Sequence, residues 1–265
     1  MREAEGKSPG VVDKVAALLM AFTFDEPELD LKDISKRVGL NKSTTCRILK
    51  NLASYHLVEQ DYATGLYRLG IRLFELGSLV QDNLKLGEIA RPYLQTLTAQ
   101  TSESSHFAIR DGNSIVHLVR VESPKAIRAI PCRVGERYPI HCLAVGKAIC
   151  AFLPDSERDR LLPDLDFRRH TDNTITNRSD FERELSGVKE RGYALDNEEF
   201  TKGIKCVAAP VLGYRGQVFG AINIVAPAVN LAADRVDEMV PLLLQTAARI
   251  SGYFTKDVAR HNRVA

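Results

Sequence analysis

Apolar residues recur at two different spacings along the 265-residue chain, and the change of spacing divides it. Val11, Val12, Val15, Leu18, Leu19 and Phe22 return every three or four positions, which predicts a first helix with one apolar stripe. The stretch Asp25-Glu26-Pro27-Glu28 ends it as a loop, and residues 1–8 before it are polar and expected to fray. Leu31, Ile34 and Val38 predict a second, short helix, and Gly39 a turn after it. Asn41 or Ser43 can cap a third helix. At 100° per residue, Thr45, Ile48, Leu49 and Leu52 share one face of that helix. Ser43, Arg47, Lys50 and Ser54 share the opposite face, with Asn51 beside them. Leu57 and Val58 begin a strand, and Tyr62-Ala63-Thr64-Gly65-Leu66-Tyr67 predicts a hairpin with Arg68 at its base. Two helices, a Gly turn and a hairpin in this order spell a winged helix-turn-helix. Residues 70–101 are densely apolar and predict a connector helix that Pro92 should kink or restart, and which is also a candidate dimer surface.

From Ser104 the period moves toward two. Residues 106–110 and 114–120 flank Asp111-Gly112-Asn113, a strong hairpin signal. A further strand is expected from Ala126 to Arg133, then a helix from Ala144 to Leu153. Residues 155–178 read as loop and short helix. A helix runs from Ser179 to Arg191, with Gly192 as its C-cap. Three strands follow at 193–198, 205–212 and 217–225, and a last helix at 232–253. The whole is an α+β chain. It is expected to comprise a DNA-binding domain over 9–69, the connector over 70–101 and a second domain over 102–258.

The net charge of +2 argues for no partner by itself, but its distribution does. Lys32, Lys36, Arg37, Lys42, Arg47 and Lys50 face a single acid, Asp33, between positions 32 and 50. Five scattered cysteines include no Cys-x-x-Cys pair, so neither a disulfide framework nor a zinc finger is indicated. The start is polar and no apolar run reaches membrane-spanning length, which points to a reduced, cytoplasmic protein. There is no nucleophile elbow, P-loop, dinucleotide glycine pattern or zinc signature, so neither an enzyme nor a cofactor is expected. Two alternatives stay open on the residues alone. One is a hydrolase using Cys142 or Cys206 with a histidine and Asp196. The other is a metal sensor built from His117, His141, Cys142 and Cys206. Adjacent His141 and Cys142 would point to opposite faces of a strand, which disfavours a nucleophile–base pair.

Taken together, GLNKSTTCRILKNL, YRLGIRLFELG, VGERYPIHCLAVGKAICAFLP and RGYALDNEEFTKGIKCVAAPVLGYRGQVFGAINIVAP give the chain, over about 9–255, a resemblance to the IclR family of bacterial transcription regulators. The resemblance implies a winged helix-turn-helix joined by a connector helix to a GAF-like sensor domain with an antiparallel sheet. It also implies a homodimer or dimer of dimers, operator DNA as partner, and control by a small carboxylic acid, with repression the commoner mode and activation the alternative. Arg47 is the candidate for reading guanine. Lys42, Ser43, Thr44 and Lys50 stand with it on the recognition helix, Lys32, Lys36 and Arg37 are candidates for phosphate, and Arg68 for the wing contact. Asn41 and Cys46 depart from the residues that similar proteins carry, so operator sequence does not transfer. The implied effector residues are Ile127, Ile130, Ala144, Val145, Asp196, Cys206, Asn223 and Val225. Similar proteins that take very small oxo-acids carry Ser at the positions of Asn223 and Val225, so a larger, partly apolar or aromatic acid is expected.

Overall fold

The computed structural model describes residues 10–125 and 132–261, with the backbone alone for 83, 84 and 256–261. They fall into two compact units that part between Leu84 and Lys85.

The first unit runs α1 (Val11–Leu19), β1 (Glu28–Leu29), α2 (Leu31–Val38), α3 (Lys42–Ser54), β2 (Val58–Gln60), β3 (Tyr67–Leu69) and α4 (Ile71–Leu84). Asp30 caps α2 by accepting the Asp33 N–H at 2.7 Å. Gly39 ends α2 at φ +68°, a conformation that costs a side-chain-bearing residue but not glycine. Asn41 rather than Ser43 caps α3. Its Oδ1 accepts the Thr44 N–H at 2.8 Å and the Ser43 hydroxyl, also at 2.8 Å. Thr45, Ile48, Leu49 and Leu52 are buried, as their spacing predicts. Ile48, Leu49 and Leu52 pack with Leu18, Ile34, Val58 and Tyr67 into one core. Val11 and Val12 depart from expectation. They stand exposed, so α1 buries only the C-terminal half of its stripe. The wing is an antiparallel pair, β2 with β3, and β1 adds to the far side of β3.

The second unit opens with α5 (Leu86–Thr101), followed by β4 (Ser104–Asp111), β5 (Ser114–Val121) and β6 (Arg137–Pro139). Then come α6 (Ala144–Ala151), α7 (Asp155–Leu161), α8 (Arg178–Arg191), β7 (Ala194–Asn197), β8 (Ile204–Leu212), β9 (Val218–Pro227) and α9 (Ala233–His261). The strands form one antiparallel sheet in the order β6-β5-β4-β9-β8-β7. Side chains alternate across it. Phe107, Val119, Val207, Ile222 and Ile224 join the core that includes α5 and α9. Ala108, Cys206, Ala208, Ala221 and Val225 join the core that includes α6 and α8. The expected connector is therefore two helices. The break falls at Lys85, at φ +48°, and α5 continues through Pro92. The strand expected from Ala126 to Arg133 lies, but for Cys132 and Arg133, outside the described residues, as do Ile127 and Ile130.

The first turn of α6 presses on the chain that leaves β6. A Cβ on Gly146 would lie 2.1 Å from the Ile140 carbonyl oxygen, a backbone atom that cannot swing aside. Gly146→Ala is expected to destabilise the protein by about 2 kcal/mol or more. Urea unfolding followed by circular dichroism checks this.

Candidate DNA-binding face and ligand pocket

With its apolar face committed to the core, α3 presents Lys42, Ser43, Arg47, Lys50, Asn51 and Ser54 to solvent. Thr44 is half-buried at the edge of that face. Among the described residues no carboxylate pairs with Lys42, Arg47 or Lys50, while other cations of the unit do find partners. Lys32 and Lys36 lie exposed on α2. Arg37 is already engaged within the unit. It donates to the Ala21 carbonyl at 2.8 Å and pairs with Glu26 at 2.7 Å, so its guanidinium ties α2 to the loop after α1. Arg68 on β3 pairs with Glu59 at 3.1 Å and Glu28 at 3.8 Å. All three side chains are well exposed, and such pairs contribute at most about 1 kcal/mol, so Arg68 remains exchangeable.

The second unit holds a partly open cavity of about 40 Å³, space on the order of three waters. His106 of β4, His117 of β5, Tyr138 of β6, Asp196 of β7, Ile204 and Cys206 of β8, and Asn223 and Val225 of β9 reach it from the sheet. Leu143, Ala144 and Val145 close it from the start of α6, Phe200 and Thr201 from the turn after β7, and Cys132 from the segment before β6. Leu143, the N-cap of α6, offers no side-chain acceptor to the first-turn N–H groups. The N-terminal end of a helix therefore faces the cavity without an anion of its own.

The polar groups here are buried and incompletely partnered. His106 Nε2, His117 Nδ1 and Asn223 Oδ1 are solvent-inaccessible and have no hydrogen-bond partner among the described residues. Burial, reinforced by neighbouring positive charge, keeps both imidazoles neutral. It holds His106 well below the usual histidine range and His117 at about 4. Burial pushes the Cys132 thiol up to about 12 and raises Cys206 well above the usual thiol range. Neither is a ready nucleophile. Asp196 accepts the Glu199 N–H at 2.7 Å, yet burial lifts its carboxyl to about 7 against that bond.

The folded protein thus holds a proton on Asp196 that an unfolded chain, at the ordinary 3.8, has released. Ionising Asp196 opposes folding, and stability is lost as pH rises from about 4 to about 7. Asp196→Asn is expected to raise stability by about 1–3 kcal/mol at pH 8 and by little at pH 4. Urea titrations at both pH values check the difference; a gap independent of pH would contradict it.

Ala144, Val145, Asp196, Cys206, Asn223 and Val225, expected on the effector site, all line this one cavity. His106, His117, Cys132, Tyr138 and Phe200 were not foreseen there. The four residues of the metal-sensor alternative do not assemble. His117 and Cys206 belong to the cavity, whereas His141 and Cys142 cluster with His170. That cluster also corrects the opposite-faces argument, because His141 and Cys142 lie in a turn rather than a strand. His141 Nε2 meets the Arg168 carbonyl at 3.1 Å, which fits a structural histidine.

Comparison with known proteins follows the same division. Residues 11–62 match the IclR helix-turn-helix domain, and residues 79–252 match the bacterial transcriptional regulator IclR C-terminal domain. The HTH-type transcriptional regulator XynR of Escherichia coli (strain K12) is 34% identical over 227 residues, covering 86% of this chain and 88% of that protein. The HTH-type transcriptional repressor AllR of Klebsiella pneumoniae is 30% identical over 245 residues, covering 92% and 90%. A transcriptional regulator from Rhodococcus sp. RHA1 has a similar structure, with a TM-score of 0.79 at 30% identity over 92% of this chain and 97% of that one. Both domain matches fall on the chain in the order of its two units, so the protein belongs to the IclR family of bacterial transcriptional regulators and works as a DNA-binding regulator, not as an enzyme.

Proposed function

We propose that this protein represses a catabolic operon and that a small carboxylic acid, bound in the cavity of the second unit, sets its grip on the operator. The observation that carries the effector class is the pair of buried imidazole nitrogens without partners among the described residues, His106 Nε2 and His117 Nδ1, around a cavity that also meets the N-terminal end of α6; Asn223 Oδ1, an acceptor, calls for a donor on the ligand such as a hydroxyl. Buried polar atoms without partners are costly unless something occupies the site. Donors from two neutral imidazoles and a helix end suit a carboxylate. Asp196, protonated near neutrality, can donate to it as well. The volume of about 40 Å³ among the described residues suits a compact acid. Ile127 and Ile130 remain candidate contacts on the family resemblance alone.

On the DNA side, Arg47, Lys42, Ser43, Thr44 and Lys50 of α3 enter the major groove, and Lys32 and Lys36 neutralise phosphates. Arg68 of the wing trades its carboxylates for the DNA backbone. Arg37 is left to its structural contacts. The apolar side chains of Val11 and Val12 on α1, and of Ile71, Phe74, Leu79 and Val80 on α4, stand exposed. Phe74 alone is 72% exposed, which supports a homodimer joined through these faces. Such a dimer presents two recognition helices to half-sites about 34 Å apart. Repression is the mode of the relative AllR. A DNA regulator without a membrane-spanning helix among its described residues is assigned to the cytoplasm.

A thermal-shift screen of carboxylic acids of graded size tests the effector class. A compact acid is expected to raise the melting temperature of the full chain, and Asn223→Ala to remove that rise. If no acid shifts the protein, or if the shift survives Asn223→Ala, the reading fails.

A further inference from the structure

Three of the unforeseen residues share a property that a carboxylate pocket does not require. His106 and His117 are neighbours on the same face of β4 and β5, with ring centroids 5.4 Å apart in an edge-on arrangement. Cys132 Sγ lies 3.5 Å from His106 Nδ1. One donor atom from each residue can be chosen so that all three lie within 4.8 Å of one another, and all three residues are buried. In a tetrahedral site with metal–nitrogen bonds of about 2.0 Å and a metal–sulfur bond of about 2.3 Å, donor atoms stand roughly 3.3–3.8 Å apart. The distance of 3.5 Å between His106 Nδ1 and Cys132 Sγ already meets that, and the remaining closure is at most about 1.5 Å. We infer that His106, His117 and Cys132 form a binding site for a borderline-soft divalent cation of the Zn²⁺ type, with its fourth position open to the cavity.

The donor chemistry selects the ion. Two imidazoles and one thiol suit zinc and its neighbours, whereas magnesium and calcium require oxygen ligands that these residues lack. The imidazoles carry no proton to displace. Cys132 binds as thiolate, so uptake of one cation releases about one proton to solvent. The second histidine–cysteine cluster of the domain is weaker on the same criteria. His141 Nε2 is already engaged by the Arg168 carbonyl, and His170 is exposed. In the His106–His117–Cys132 cluster, by contrast, the contact of His106 Nδ1 is Cys132 Sγ, itself a proposed ligand, and His117 Nδ1 is buried without a partner among the described residues. Three protein ligands and one open position is the arrangement of sites that take up an exogenous ligand. Asp196, Cys206 and Asn223 line the same cavity. Use of the open position by the acid effector rests on the proposed function; the metal site itself does not.

The test is titration of metal-free, untagged full-length protein with Co²⁺ and Zn²⁺. One equivalent of Co²⁺ is expected to bind, with a thiolate-to-cobalt charge-transfer band and tetrahedral ligand-field bands, and Zn²⁺ is expected to displace it. Cys132→Ser should abolish the charge-transfer band and Cys142→Ser should leave it intact. His117→Asn serves as a second variant, expected to lose the ligand-field intensity while the thermal unfolding of the metal-free protein shows it folded. No stoichiometric Co²⁺ binding, or a band lost with Cys142→Ser and kept with Cys132→Ser, overturns the site. Running the acid screen on metal-free protein separates the two readings: an acid-induced shift without metal leaves the effector proposal standing even if the cation site fails.

Discussion

Arg47→Ala is expected to weaken binding to the operator by roughly 10- to 100-fold, the ~1–3 kcal/mol of one bidentate base contact. Arg47 lies on the exposed face of α3, opposite buried Ile48, Leu49 and Thr45, and among the described residues no carboxylate competes for it. Its removal takes nothing from the core, so stability should change by less than about 0.5 kcal/mol. A duplex selected from a random library by the full-length protein supplies the operator, and fluorescence anisotropy the affinity. Lys32→Ala is the control. A phosphate contact is expected to weaken all duplexes alike and to reduce the salt slope by about one, whereas Arg47→Ala should relax the preference at one base position. Unchanged operator affinity in Arg47→Ala would remove α3 from the role of reader.

Lys147→Met is expected to destabilise the second unit by about 3–5 kcal/mol and to abolish the acid-induced thermal shift. Lys147 Nζ meets Glu199 at 2.6 Å, with the two side chains only 1% and 8% exposed. Glu184 stands 3.7 Å away and keeps Arg191 as a partner at 2.6 Å. Met fills the volume of the lysine but leaves Glu199 buried without its cation, which is the costly half of a broken buried pair. Burial already raises the Glu199 carboxyl, so without Lys147 it takes up a proton more readily. The loss should therefore be largest near pH 8 and smaller near pH 5. Adding Glu199→Gln should recover part of it. The pair joins α6, which carries Ala144 and Val145, to the turn after β7, which carries Phe200, so its loss loosens opposite walls of the cavity. Urea unfolding of the two variants measures the energy, and the acid screen measures the consequence.

The helix-turn-helix was legible because its signals are local. A 3.6-residue period, a glycine at the turn and a capping side chain act within a few positions, and Gly39, Asn41 and the buried face of α3 stand where the pattern puts them. The wing was legible as a hairpin, but β1 was not, since its two residues are too few to show a period. The connector misled because Pro92 is the conspicuous helix breaker, while the break is made by Lys85, a residue type that carries no signal for positive φ. Half of the pocket came from family resemblance and the other half was hidden by pairing. His106 and His117 are eleven positions apart, and a register shift between Phe107 and Ala108 brings Val119 opposite the first and His117 opposite the second. Without that irregularity His117 would not share a face with His106, and a bulge leaves no trace in hydrophobic spacing. Arg37 and Arg68 read as free cations because sequence shows charge but not the acids that folding sets against it.

Occupancy of the cavity lined by Asp196 and Asn223 is coupled, in the proposed function, to the hold of α3 on DNA. The direct measurement is anisotropy titration of the selected operator with full-length protein at fixed salt, with and without the acid that gives the largest thermal shift. The account predicts that the acid weakens operator binding by about 5- to 150-fold, the 1–3 kcal/mol typical of linked sites. Equal operator affinity in its presence and absence, with the acid demonstrably bound, would contradict it.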